Sequence, residues 1–264
     1  MADVLAIMAH PDDAELLCGG TLIRAADQGR STAVLDLTAG ESGSWGSAGD
    51  RSKEAAAAAH ILGLTSRENA ALPDGALVNT PETRANVAGF IRHFRPRTVI
   101  LHWPEARHPD HRAASQLGYD ACFLAGLRNA PIDRGPHATN VAWGEGRGPD
   151  PTNAAWGGDG EAHRPHKVLY AIAYHETQVK PTFVVDITDQ IERKLEAIFA
   201  FGSQFEGRTA MGDVFGGGER GMRDQLLAHA AHYGSLIRRP YGEPYWTRET
   251  MRVDDVVGLA VNSI

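Results

Sequence analysis

Val4-Leu5-Ala6-Ile7-Met8-Ala9-His10-Pro11-Asp12-Asp13 is an apolar run followed at once by an imidazole, a proline and two carboxylates. A short, continuous apolar run reads as a parallel strand covered on both faces. Ligands of open α/β sheets sit beyond the carboxyl ends of such strands. The same syntax returns far along the chain, where Thr98-Val99-Ile100-Leu101-His102-Trp103 precedes Arg107-His108-Pro109-Asp110-His111. Two strand ends, each carrying His, Pro and Asp, point to one site assembled from both.

Working outward, further strand-like runs lie at 32–37 and, more briefly, near 69–72. Helical stretches at about 14–28, 53–62, 82–94 and 112–127 separate the strands. Leu16, Leu17, Leu22 and Ile23 give the first helix an apolar face, and the alanines at 55–59 favour helix by propensity. Gly29 and Gly63 stand where helix C-caps belong, and Pro96 ends the third helix. This βαβα order predicts an α/β fold: a doubly wound, mostly parallel sheet with helices on both faces.

The segment 131–165 breaks the pattern. It is rich in Gly, Pro, Asn and Trp, has no periodicity, and is too long for an ordinary connection, so it reads as an insertion loop. Strand-like runs resume at 168–174 and 182–187, followed by an amphipathic helix at 189–201. A second glycine-rich loop spans 207–221, a last long helix 225–237, and the tail after Tyr241 looks irregular. With no internal repeat or linker, residues 1–264 are expected to form a single domain.

Composition narrows the function. Of 264 residues, 42% are hydrophobic and 22% charged, as in a globular protein with a sizeable core. The formal net charge of -7 argues against a general affinity for nucleic acid, though local arginines could still handle an anionic substrate. The two cysteines, Cys18 and Cys122, form no Cys-x-x-Cys pair, which disfavours a thiolate zinc site and fits a reducing cytoplasm. No signal-peptide pattern opens the chain and no apolar run reaches the ~18 residues a membrane span needs, so no membrane association is expected.

The chemistry of the clusters follows from their donors. A catalytic zinc takes three protein ligands and leaves a position open. His10, Asp13 and His111 would supply two imidazoles and a carboxylate. Asp12 would act as general base towards water. His108, as imidazolium, could stabilise an oxyanion or protonate a leaving amine. Asp110 could hold His111 or His108 in the required tautomer. Ferrous iron fits the same N/O donor set as zinc. Against this, a lone His-Pro-Asp is often only a turn and an N-cap. The recurrence at a second strand end is what makes the metal reading hard to dismiss.

Further candidates lie on the loop Thr38-Ala39-Gly40-Glu41-Ser42-Gly43-Ser44-Trp45-Gly46-Ser47, followed by Arg51 and Glu54. Its glycines allow close approach of backbone to a ligand. Its hydroxyls, Glu41 and Arg51 could meet a polyol bearing a carboxylate, and Arg107 is a second anion-binding candidate. The plainer alternative is a flexible loop with a surface Arg–Glu pair. His102 either points into the site or caps its strand. Tyr174 and His175 are weaker candidates at the same mouth, and His163 with His166 resembles a metal pair by spacing alone.

These motifs resemble the LmbE-like, or PIG-L, deacetylase superfamily. Its hallmarks are Ala-His-Pro-Asp-Asp, here Ala9–Asp13, and His-Pro-Asp-His, here His108–His111. A closer similarity is to bacillithiol-biosynthesis deacetylases that act on N-acetylglucosaminyl malate. It is carried by Leu37-Thr38-Ala39-Gly40-Glu41, by Glu68-Asn69 with Leu72-Pro73-Asp74-Gly75, and by Arg107–His111. Lys180–Asp186, Ser203-Gln204-Phe205, Tyr233-Gly234 and Gly242-Glu243-Pro244 continue it. The resemblance implies a Rossmann-like sheet, zinc, and hydrolysis of an N-acetyl group on a glucosamine conjugate. His10, Asp13 and His111 are then ligands, Asp12 the base, His108 the oxyanion stabiliser and Arg51 a substrate-carboxylate contact. It also implies a homo-oligomer, in many relatives a hexamer. The 131–165 loop is longer than that subgroup suggests.

Other acetylated substrates fit the same chemistry: a mycothiol precursor, chitin-derived sugars, or a mercapturate-type amide. A different class, a sugar- or nucleotide-binding module without catalysis, is permitted by the fold. It is disfavoured because His-Pro-Asp-Asp, and no Gly-x-Gly-x-x-Gly, follows the first strand.

Overall fold

The opening apolar run forms β1 (Val4–Met8), whose side chains alternate between two buried faces. Leu5 and Ile7 pack with Leu35, Val99, Leu101, Phe90 and Leu117 on one side. Ala6 and Met8 pack with Val34, Ile100, Leu22 and Ile23 on the other. A strand covered on both faces has no solvent side to alternate towards, hence the unbroken apolar sequence.

The computed structural model describes residues 1–132, 161–172, 179–206 and 221–261. After β1 come α1 (Asp13–Asp27), β2 (Thr32–Asp36), α2 (Ala48–Leu62), β3 (Ser66–Asn69), α3 (Pro81–Phe94), β4 (Thr98–His102) and α4 (Pro109–Ala125). Then follow β5 (Lys167–Ala171), β6 (Phe183–Asp186), a 3-10 turn at Thr188–Gln190, α5 (Ile191–Phe199), α6 (Gly202–Phe205), α7 (Met222–Leu236) and β7 (Gly242–Trp246). The sheet order is β3-β2-β1-β4-β5-β7-β6. The first five strands in that order pair in parallel, and β7 is antiparallel to both β5 and β6. Helices α3 and α4 pack together on one face, while α1, α2 and α5 pack on the other. This is the doubly wound α/β architecture that the element order predicts. The strand order reverses between β1 and β4, so their carboxyl ends form the switch-point crevice.

The structure corrects several boundaries. Strand β3 lies at Ser66–Asn69, ahead of the expected 69–72. Its polar sequence is tolerated because Arg67 is buried against Glu15 (2.5 Å) and Asp36 (2.7 Å). Helix α2 starts at Ala48, earlier than expected, because Ser47 and Asp50 form a capping box. Helix α4 starts at Pro109, with proline at its first position and His108 as N-cap, so His111 stands in the first turn and not before it. The tail after Tyr241, expected to be irregular, begins with β7. Tyr174 and His175, all of the 207–221 loop but Gly221, and most of the 131–165 segment lie outside the described residues. Among the described residues no helix is long and apolar enough to cross a membrane.

Candidate metal centre

Beyond β1 the chain turns into α1 through Asp12, which adopts φ 110° and ψ -27° and caps the helix without a side-chain hydrogen bond. Such a backbone costs a non-glycine residue of order 1–3 kcal/mol and persists only where its surroundings impose it. Asp13 folds back so that its Oδ2 accepts the His10 N–H at 2.8 Å. Beyond β4, His108 Nδ1 accepts the Asp110 N–H at 3.2 Å and begins α4. The amino ends of α1 and α4 thus both open at the crevice, where their dipoles favour negative charge.

The two motifs converge. His111 Nε2 lies 3.2 Å from Asp13 Oδ1, and His10 Nδ1 lies 3.3 Å from Asp13 Oδ2. Ligand-capable atoms of His10, Asp13 and His111 all fall within 4.8 Å of one another. His10, His108 and Asp110 form a second set by the same measure. The rings of His10, His108 and His111 sit with centroids 4.8–5.3 Å apart. Ligating histidines usually give their other ring N–H to a carboxylate. His10 Nε2 is so placed, 3.1 Å from Asp74 Oδ1 and 3.4 Å from Asp110 Oδ2. Donor set and outer carboxylates together fit a divalent ion.

The electrostatics are those of a charged cluster out of water. Burial, reinforced by Asp13, pushes the Asp12 carboxyl up to about 8. Burial would raise Asp13 too, but the facing His111 and its hydrogen bond with His10 hold it well below the usual carboxylate range. Burial opposes the His10 charge, yet its hydrogen bonds to Asp110, Asp13 and Asp74 leave it raised well above the ordinary imidazole value. Desolvation, together with His111 and His10, lowers His108. The imidazolium form considered for His108 is therefore disfavoured. Because its Nδ1 accepts a backbone N–H, the neutral ring carries its proton on Nε2.

Asp110 corrects a second expectation. Its carboxylate faces neither His108 nor His111 in a hydrogen bond. It accepts the Gly75 N–H (2.8 Å) and the Leu77 N–H (3.3 Å) and flanks His10, tying the loop after β3 to α4. Asp74, which sequence reasoning quoted only as part of a similarity motif, touches His10 directly. Burial would raise its carboxyl, but hydrogen bonds from His10, Ser42 and Gly75 hold it at about 2. Glu41 is a loop clasp, accepting the Asp74 N–H at 2.9 Å and the Ala39 N–H at 3.2 Å. Arg51 is 7% exposed and donates to Gln204 Oε1. The Arg51 guanidinium passes close beneath Gly40 and Gly43, and Gly40 also adopts φ 68°, a backbone that favours glycine. Arg107 is exposed on the turn before α4, its carbonyl accepting from Arg112 at 2.7 Å. His102 does point into the site, fully buried and stacked on His111. His163, by contrast, directs Nε2 to the Pro96 carbonyl at 2.8 Å.

Fold and donor set define an α/β protein with a two-histidine, one-carboxylate candidate metal centre at the switch point of its sheet. The chain belongs to the PIG-L, or LmbE-like, deacetylase family: the family model described as GlcNAc-PI de-N-acetylase matches residues 5–122. It is 32% identical over 212 residues to the diacetylchitobiose deacetylase of Thermococcus kodakarensis, covering 76% of this chain and 70% of that one. It is 27% identical over 221 residues to the probable N-acetyl-alpha-D-glucosaminyl L-malate deacetylase 2 of Bacillus anthracis, covering 76% and 81%. The crystal structure of the conserved protein TT1542 from Thermus thermophilus superposes with TM-score 0.77 at 35% identity, covering 96% of this chain and 98% of that one.

Proposed function

We propose that this chain is a zinc-dependent hydrolase that removes the acetyl group from an N-acetylglucosamine conjugate. The observation that carries the reading is the meeting of His10, Asp13 and His111 beside Asp12, a carboxyl already raised to about 8. His10, Asp13 and His111 would hold a divalent ion, which would supply Lewis-acid activation of the water and the amide carbonyl. Asp12, ionised beside a bound cation, takes the proton of the attacking water as general base. His108 donates its Nε2 proton as a hydrogen bond to the carbonyl oxygen as that oxygen becomes negative. The amino ends of α1 and α4 favour the same developing charge. Asp12 then returns its proton to the amine nitrogen as the C–N bond breaks, leaving acetate and the free amine.

The finer proposal for the substrate is N-acetylglucosaminyl malate, as in bacillithiol biosynthesis, with Arg51 serving the malate carboxylate. It is supported by the position of Arg51 at the start of α2, near enough to act electrostatically on Asp12. N,N′-diacetylchitobiose is the competing substrate, favoured by the 32% identical relative. Two buried free thiols are in keeping with a reducing cytoplasm as the place of reaction. The homo-oligomer belongs to the same proposal and is checked by light scattering.

The experiment compares acetate release from N-acetylglucosaminyl malate, N,N′-diacetylchitobiose and N-acetylglucosamine by the zinc-loaded protein. The malate reading predicts the highest specificity constant for the first. It also predicts that Arg51→Ala raises KM for that substrate more than for N-acetylglucosamine. An equal rise on both removes the malate assignment, and absence of acetate from all three removes the deacetylase reading of this site.

A further inference from the structure

His102 ends β4, is 0% exposed and lies outside the proposed donor set. Its Nε2 accepts the Ala9 N–H at 2.9 Å and lies 3.4 Å from Asp13 Oδ2. Its ring stacks on His111, with centroids 4.2 Å apart and planes 17° apart. One side chain therefore touches the peptide leading into His10, the carboxylate of Asp13 and the ring of His111. We propose that His102 is a positioning residue, a neutral imidazole at the seam of β1 and β4 that sets the spacing of the metal donors. This inference rests on the proposed His10–Asp13–His111 donor set and deepens it.

The tautomer follows from the backbone. Ladder pairing between β1 and β4 covers only Val4–Ala6, so the Ala9 N–H finds a side-chain acceptor in place of a strand carbonyl. Ala9 is fully buried, and an orphaned buried N–H is costly. A ring nitrogen that accepts a hydrogen bond carries no proton, so the hydrogen of His102 sits on Nδ1. That buried Nδ1 has no hydrogen-bond partner among the described residues. Rotating the ring to give Asp13 a proton would strand Ala9, so Asp13 keeps both oxygens free of donation from this ring. A neutral, flat neighbour also holds the plane of His111 without placing positive charge beside a cation site. Of the residues that could stand here, glutamine can offer an oxygen where Nε2 lies, whereas phenylalanine keeps the flat ring and offers no acceptor.

Zinc affinity of the wild type, His102→Phe and His102→Gln is measured by competition with a chromophoric chelator, after metal depletion. Loss of an outer partner of a metal ligand typically costs 10–100-fold in affinity. The expected result is a loss of that size for His102→Phe and recovery of most of it by His102→Gln. A wild-type measurement, nitrogen-15 NMR of labelled histidine, reads the tautomer without any variant and is expected to show hydrogen on Nδ1 of His102. The proposal is overturned if His102→Phe binds zinc as tightly as the wild type, or if His102→Gln is no better than His102→Phe. A wild-type ring protonated on Nε2 also overturns it. Should His102→Phe fail to fold, the tautomer and the glutamine variant decide. A wild type that binds no zinc removes the donor set itself, and so is told apart from a wild type that binds zinc alongside an equally tight phenylalanine variant. Zinc binding without acetate release would sink the deacetylase reading and leave the role of His102 standing.

Discussion

Asp12 combines two costs in one residue: a left-handed backbone and a carboxyl raised to about 8 by burial and by Asp13. Structures keep such a residue where its position matters more than its stability. Asparagine tolerates positive φ and has nearly the same shape, so Asp12→Asn isolates the proton-transfer role. The expected outcome is unchanged metal content by elemental analysis with a rate loss of roughly 10²–10⁴-fold. A variant as fast as the wild type would show that the base lies elsewhere. At this scale the sequence was most informative, because His10, Asp12, Asp13, His108 and His111 sit in two compact motifs at strand ends. Their partners were harder to read. Asp74 reaches His10 from the loop after β3, and His102 reaches Ala9 across the β1–β4 seam. Contacts between distant segments leave no spacing signal in the chain.

Among the elements, α1 is the one that carries Asp12 and Asp13, and it is held from behind. Glu243 of β7 accepts the N–H groups of Gly20 (2.8 Å) and Thr21 (2.7 Å), while Lys194 of α5 donates to Glu243 (2.6 Å) and to the Leu16 carbonyl (2.8 Å). Gly20 is required there, since a Cβ would stand 2.8 Å from Ile187. Removing one partner of a buried ion pair leaves the other charge uncompensated, at about 3–5 kcal/mol. Glu243→Ala should therefore lower unfolding stability by that order in a urea titration. A loss below about 1 kcal/mol, the range of exposed pairs, would mean that the clamp does not hold α1. Strand β7 escaped sequence reading, and β3 was placed too late, for the same physical reason. Ser66-Arg67-Glu68-Asn69 and Gly242-Glu243-Pro244 lack apolar alternation, and they become strands because their buried charges find partners elsewhere in the fold.

For the whole molecule, the apolar strands β1, β2 and β4 and the helices between them made the doubly wound half legible, while β7 and the antiparallel pairing it makes with β5 and β6 were not. The convergence of charge at the switch point has a consequence for stability when no metal is bound. His10 is raised well above its ordinary value near 6.5, and Asp12 is raised to about 8. In both cases the folded state holds a proton that the unfolded chain releases. For His10 the stabilisation is complete below about 6.5 and is lost as pH rises through the raised folded value. For Asp12 the ionised form is disfavoured on folding, so stability falls as pH approaches 8. Metal-depleted protein should thus melt at progressively lower temperature between pH 6.5 and 8. The metal-loaded protein should lose less, because a bound cation compensates the carboxylates once His10 is deprotonated. A metal-depleted protein whose melting temperature is flat or rises across that interval would contradict the protonation states assigned here.

The most direct test of the donor set is anomalous diffraction at the zinc edge from crystals of the zinc-loaded protein. The expected map has one strong peak within coordination distance of His10, Asp13 and His111 together. A peak that leaves out His10 or His111, or no peak at the carboxyl ends of β1 and β4, would contradict the site.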